Sequence, residues 1–286
     1  MANVLLAWPN RIDTTLSLYG GNYSPNLPLS NAKNRVIAKK ARTVDTAEAS
    51  SFFIATFPEG RPVNVVAIAG HNFTTQATFR VRLYSEASLT TLIYDSGYVN
   101  VWPALYSTNE LEWEYNNWWE GTITDTDRQN YTPLAFNINT GLYLALGMRV
   151  DIKDTSNPYG YLEFGRVFIG ESFQPSINMQ YGASISHEIS TSTELTLSNN
   201  EYFDVRTPRR TASFQLAALD KTEAVAKTYT MQRQQGIHGE IFFSYDPDVS
   251  QEMYVITFLG RLQSIDPISQ PYVDRFSTGI NLIEIL

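Results

Sequence analysis

The sequence predicts a mainly β protein: an N-terminal antiparallel β-sandwich or jelly roll, then a second β domain with one helix. Three observations predict it. Runs rich in β-branched and aromatic residues recur between Gly, Pro, Asn and Asp turns. Aromatics reach 13% and charged residues only 17%, so polarity comes from Asn, Ser, Thr and Tyr, as strands and loops favour. One stretch alone reads as a convincing helix.

Residues 1–35 read as an extended arm. Pro9, Pro25 and Pro28 break regular structure, and Gly20-Gly21-Asn22 marks a turn. Trp8, Leu16, Leu18 and Tyr19 give the arm apolar surface, for its own domain or for a neighbour.

Residues 36–175 read as the jelly roll. Strands are expected at Ser51 to Phe57, Val63 to Ala69, Phe79 to Ser85, Leu92 to Ser96, Tyr143 to Lys153 and Tyr161 to Ile169. Turns separate them at Pro58-Glu59-Gly60, Gly70-His71-Asn72, Asp95-Ser96-Gly97 and Asn157-Pro158-Tyr159-Gly160. In MRVDI the period of two puts Met148, Val150 and Ile152 on one face, Arg149 and Asp151 on the other. Residues 101–140 form an insertion holding Trp102, Trp113, Trp118 and Trp119, four of the five tryptophans. Long loops in compact domains are usually functional or disordered, and so much tryptophan argues against disorder.

Residues 176–286 read as the second domain. Strands are expected at Ile185 to Leu197, Thr211 to Leu216, Glu240 to Tyr245, Met253 to Leu262 and Gly279 to Leu286. Asp220 and Glu223 have capping-box spacing and Gly236 suits C′, so a helix is expected over about 220–235.

A net charge of −8 argues against nucleic-acid partners. The basic run Lys33 to Arg42, with weaker pairs such as Arg209-Arg210, reads as a solvated loop. Without cysteine there are no disulfides, thiolate metal sites or cysteine nucleophiles. The start lacks the features of a signal peptide, and no run approaches the ~20 apolar residues that span a membrane. No catalytic, cofactor or metal motif occurs. His71, His187 and His238 read as surface or turn residues. Asp125 with Asp127, and Asp246 with Asp248, read as turns rather than calcium ligands.

The candidate ligand-binding residues are Trp102, Trp113, Tyr115, Trp118 and Trp119. Three readings stay open for them: stacking on sugar faces, anchoring a protein interface, or packing on their own domain.

The segment VVAIAGHNFTTQATFRVRLYS resembles the strand–turn–strand of galactose-binding-like (discoidin-like) jelly rolls in tailed-phage virion proteins. LIYDSGYVNVWP and MRVDIKDTSNPYGYLEFGRVFIGESFQP extend the resemblance over about 36–175. The remainder resembles C-terminal β domains of phage tail or baseplate proteins, through Arg209-Arg210, one helix and a late Gly before NLIEIL. The resemblance implies a non-enzymatic tail-tip or baseplate component, assembled in the host cytoplasm and located in the virion tail. Its implied partners are other tail proteins and copies of itself in a symmetric ring. The alternative is a glycan- or receptor-binding module using the tryptophan loop. No cofactor and no active-site residue is implied.

Overall fold

The computed structural model describes residues 3–103, 121, 128, 132–196, 198–248 and 253–286. Its strands are β1 (Leu5–Ala7), β2 (Ser17–Tyr19), β3 (Ala41–Arg42), β4 (Phe52–Ala69), β5 (Thr78–Tyr84), β6 (Leu92–Asp95), β7 (Val99–Asn100), β8 (Leu134–Lys153), β9 (Glu163–Phe164), β10 (Arg166–Gly170) and β11 (Ser172–Phe173). There follow β12 (Ser184–Glu188), β13 (Ser192–Leu195), β14 (Glu201–Asp204), β15 (Arg209–Leu219), β16 (Ile241–Ser244), β17 (Thr257–Ile265), β18 (Ser269–Tyr272) and β19 (Arg275–Glu284). Among the described residues one helix longer than a 3-10 turn, α1, spans 221–235. The protein is mainly β with antiparallel sheets, as the sequence predicts.

The seven-stranded sheet runs β10-β4-β8-β5-β6, with β2 on β4 and β7 on β5. Alternation builds it: Phe79, Val81 and Leu83 of β5 are buried, while Arg80 and Arg82 turn outward. Arg80 pairs with Asp95, and Arg82 reaches Asp151 at 2.5 Å. Met148, Val150 and Ile152 of β8 join Phe53, Phe73, Phe79 and Phe164 in one core.

The eight-stranded sheet runs β11-β1-β16-β17-β19-β15-β12, with β18 on β19. β1 and β11, both from the N-terminal side of residue 176, therefore complete the C-terminal sheet. Leu6 pairs with both Phe173 and Phe243. Leu5, Ala7, Val65, Ala67, Phe168, Phe242 and Leu259 form an apolar cluster between the two sheets. The segment read as an arm is thus largely packed on its own chain, although Leu16 and Tyr19 remain exposed.

The expected capping box forms. The Glu223 amide donates to Asp220 Oδ1 at 2.7 Å, and the Asp220 amide to Glu223 Oε2 at 3.2 Å. The helix widens to π form over Glu223–Tyr229 before regular α-helix at Thr230–Gln235, and Gly236 ends it at φ +51°.

Several strand expectations need correction. Ile185 to Leu197 divides into β12, paired with β15, and β13, paired with β14. Met253 to Leu262 is strand only from Thr257, in β17. Ser51 to Phe57 and Val63 to Ala69 are one 18-residue strand, β4. Pro58 causes no break because it falls between Thr56 and Arg61, where the ladder with β8 is interrupted and no amide donor is needed. β8 begins at Leu134, so 134–140 is strand rather than insertion. Tyr161 to Ile169 divides between two sheets, as β9 and β10.

Candidate ligand-binding site

The Gly-His-Asn turn, read as a surface turn, is an interior joint in the structure. Gly70 has φ +67°, and a Cβ there would meet Ile37 and the Lys40 ammonium. His71 is buried rather than at the surface, because its ring stacks on Phe73 at 4.4 Å and meets the edge of Trp102. Its Nδ1 accepts from the Phe73 amide at 3.2 Å. Burial, then the charges of Lys40 and Arg128, push the His71 pKa down to about 3. The ring is neutral at physiological pH, and Nε2 is buried with no partner among the described residues. Asn72 does not bond locally. Its amide donates to Tyr161 O and its carbonyl accepts from Glu163 N, stitching the turn to β9.

Trp102 is 1% exposed, donates to Phe73 O at 3.2 Å and packs at 5.1 Å from Tyr254. Self-packing is the reading that fits this tryptophan. Trp113, Tyr115, Trp118 and Trp119 lie outside the described residues, as do Asp125 and Asp127. Asp246 accepts from the Asp248 amide at 3.2 Å, as a turn residue does. His187 and His238 are exposed. Among the described residues no group of three His, Asp or Glu side chains could hold a metal ion, and no helix is long and apolar enough to cross a membrane.

Parts of the basic run are paired rather than solvated, while Arg35 and Lys39 stay exposed as expected. Lys40 donates to Gly70 O at 2.6 Å, and Arg42 binds Glu163 at 2.8 Å. Arg210 is buried against Glu284 and donates to Val255 O and Thr257 O. Arg166, fully buried, binds Glu240 at 2.9 Å, Asp13 at 2.7 Å and the Lys33 carbonyl.

A cavity of about 390 Å³ opens where the two sheets meet. Its origin is a break in the β4–β8 ladder. Val63 pairs with Tyr143 and Val65 with Ile138, so the residues between Ile138 and Tyr143 bulge out opposite Asn64. Asn139 sits in this bulge, and its amide nitrogen and oxygen are both buried, with no partner among the described residues. Asn64 is held by Ser172: it donates to Oγ at 2.6 Å and accepts from the amide at 2.7 Å. Asn137 Oδ1 accepts from Tyr94, and Gln174 donates to Asn3 O. These four carboxamides and that of Asn100 share the lining with an apolar wall that includes Val99, Val101 and Phe136. Asp248 is the one charged residue among the described lining.

Sequence reasoning missed this site. FNINT, residues 136–140, alternates like an ordinary strand, and no local signal marks the bulge. Two asparagines inside a strand, where Asn is depleted, were the available hint.

No family model matches the sequence, and no curated protein matches it. Similar solved structures include a Streptococcus pneumoniae fucose binding module, at 14% identity and TM-score 0.37, covering 57% of this chain and 94% of that one. Another is a mutant lectin binding domain of Lectinolysin complexed with Lewis b, at 12% identity and TM-score 0.38, covering 58% and 98%. A third is CBM32 of AlyQ in complex with 4,5-unsaturated mannuronic acid, at 17% identity and TM-score 0.33, covering 54% and 94%. At identities and TM-scores this low, the similarity is not evidence for a ligand.

Proposed function

We propose that this protein is a non-enzymatic binding protein whose ligand is a neutral glycan. The observation that carries the reading is the carboxamide-lined cavity at the junction of the sheets. A carboxamide offers donors and an acceptor together, as a sugar hydroxyl does, and its neutrality suits an uncharged ligand. The apolar wall suits the C–H face of a pyranose. Binding without turnover fits the lining. Glycoside hydrolysis in its usual form needs two carboxyl groups, and the described lining has one. Calorimetry of the full chain against neutral oligosaccharides tests this. Saturable binding without release of products is expected, and turnover of any of them overturns the non-enzymatic part. Trp118→Ala with Trp119→Ala then separates the two candidate platforms: retained affinity favours the cavity over the tryptophan loop.

A second reading, a tail-tip or baseplate component of a phage particle, is favoured by another observation. Residues 184–196 and 198–208 form an exposed ribbon, whose β13–β14 hairpin pairs only with itself among the described strands. It exposes Leu195, Tyr202, Phe203 and Val205. Two-stranded hairpins are marginal alone in water, so a subunit contact would give it support. Immunogold microscopy of particles from the source culture tests this. Label at one end of a tail is the expected result, and unlabelled particles overturn it.

A further inference from the structure

We propose that the β18–β19 hairpin docks on a second copy of this chain, each copy seating its hairpin tip in an apolar groove of the other about a two-fold axis. The pairing is independent of what fills the cavity between the sheets. The tip is a two-residue turn, Val273-Asp274, between the paired Tyr272 and Arg275. Asp274 takes a left-handed φ of +58°, which Asp tolerates in turns. Val273 is the anomaly. Turns are built from Gly, Asn, Asp, Ser and Pro, and a stiff β-branched side chain gives nothing to one. Yet Val273 is 87% exposed, beside Tyr272 at 74%. All four residues of β18 are exposed, and among the described strands β18 pairs with β19 alone.

The groove lies at the root of the same hairpin. It holds about 630 Å³ between α1 and the β17–β18 turn, with Val225, Tyr229, Ile265, Ile268 and Phe276 in its walls. Its polar groups are answered within the chain. Gln232 donates to Asp266 O at 3.0 Å, and Asp266 Oδ2 accepts from Asn281 at 3.1 Å. Val225, Tyr229 and Ile265 stay about half exposed, so the chain's own tip does not fill the groove beside it. Where a knob and a hole lie side by side on one surface, a two-fold axis puts each knob into the other copy's hole and closes the pair. The area suffices. At about 200 Å² for a fully exposed tyrosine, Tyr229 and Tyr272 leave roughly 250 Å² open, and Val225, Ile265 and Val273 about as much again. Two copies together cover about 1,000 Å², the lower bound for a specific interface. Charge agrees. Arg275 turns back to donate to Ala218 O at 3.2 Å, which leaves Asp274 as the carboxylate of the apex. Lys221 and Arg233 are exposed on α1, four residues before Val225 and four after Tyr229, and so flank the groove with positive charge.

Sedimentation equilibrium of the full chain tests this. A concentration-dependent dimer is expected, and a monomer throughout, up to about 1 mM, overturns the pairing. Val273→Asp at the tip, or Val225→Lys in the groove, strikes a two-fold pair twice and should weaken it about a hundredfold, tenfold per contact. A dimer retained in either variant overturns the pairing. Mixing the two variants is the sharper test. The mixed pair regains one intact tip in one intact groove, so it should associate about tenfold more tightly than either variant alone. A mixture no tighter than its components means that the tip does not meet the groove. The chain has no cysteine, so a measurement that does not depend on the affinity of either variant is also open. A Val273→Cys copy mixed with an Ile265→Cys copy and a short bismaleimide should give the mixed crosslinked dimer, and its absence overturns the pairing.

Discussion

The junction between the sheets and the 184–208 ribbon are opposite solutions to one problem. At the junction, polar groups are buried and mostly answered from within the chain: Asn10 binds Glu240, Glu240 binds Arg166, and Arg166 binds Asp13. In the ribbon nearly every side chain, apolar ones included, meets solvent. The first region buries its polar groups among partners of the same chain, and the second leaves apolar side chains in solvent. The cavity lies at the edge of the first, and Asn139 is where the internal answering stops.

The comparison breaks most visibly at Arg166. Arg166→Met strands Glu240 in the interior, and loss of one partner of a buried pair is worth about 3–5 kcal/mol. Denaturant titration should show it, with Glu240→Gln on top restoring part of the loss. Similar stability in the single variant would mean that the junction network is ornamental.

His71 comes next. Its pKa is about 3 in the folded chain against 6.5 for the ordinary side chain. Below pH 6.5 the unfolded chain therefore takes up a proton that the folded one refuses. Stability falls on acidification by about 1.4 kcal/mol per pH unit, until the pH nears 3. His71→Phe should flatten that limb of the stability curve, roughly 2 kcal/mol at pH 5. Parallel curves would place the histidine in a wetter setting.

Asn139→Leu should be neutral or stabilising by about 1 kcal/mol, because it removes a buried amide without partners. Thermal unfolding measures this, and a marked loss would mean that the amide is satisfied in solution. The smallest effect belongs to the ribbon. Leu195→Ser with Phe203→Ser should shift the stability of the isolated chain by within about 0.5 kcal/mol. A larger drop in melting temperature would show that the ribbon packs on the chain that bears it.

How far the sequence could be read follows the range of the interaction. The alternation of β5 and the Asp220/Glu223 box are local patterns, and both were legible. The ladder gap that admits Pro58 and the bulge that frees Asn139 depend on register between β4 and β8, which no short window contains. The burial of His71 depends on Trp102 and Phe73 arriving together. Leu5–Ala7 is too short a strand to announce that its partners lie in β11 and β16. The tryptophans that looked most informative fall largely outside the described residues.

The position of β1 also governs how the chain comes together. It lies far from its partner in the chain, for Leu5 pairs with Ser244 and Ala7 with Phe242. Its slot is bounded on one side by β16, most of the described chain away from it. Closure of the eight-stranded sheet is therefore a late, non-local step, the kind that slows folding and leaves apolar edges waiting. A fragment beginning at residue 176 would leave the same scar permanently, an open β16 edge where β1 belongs, and should aggregate unless a peptide matching the first residues is supplied in trans.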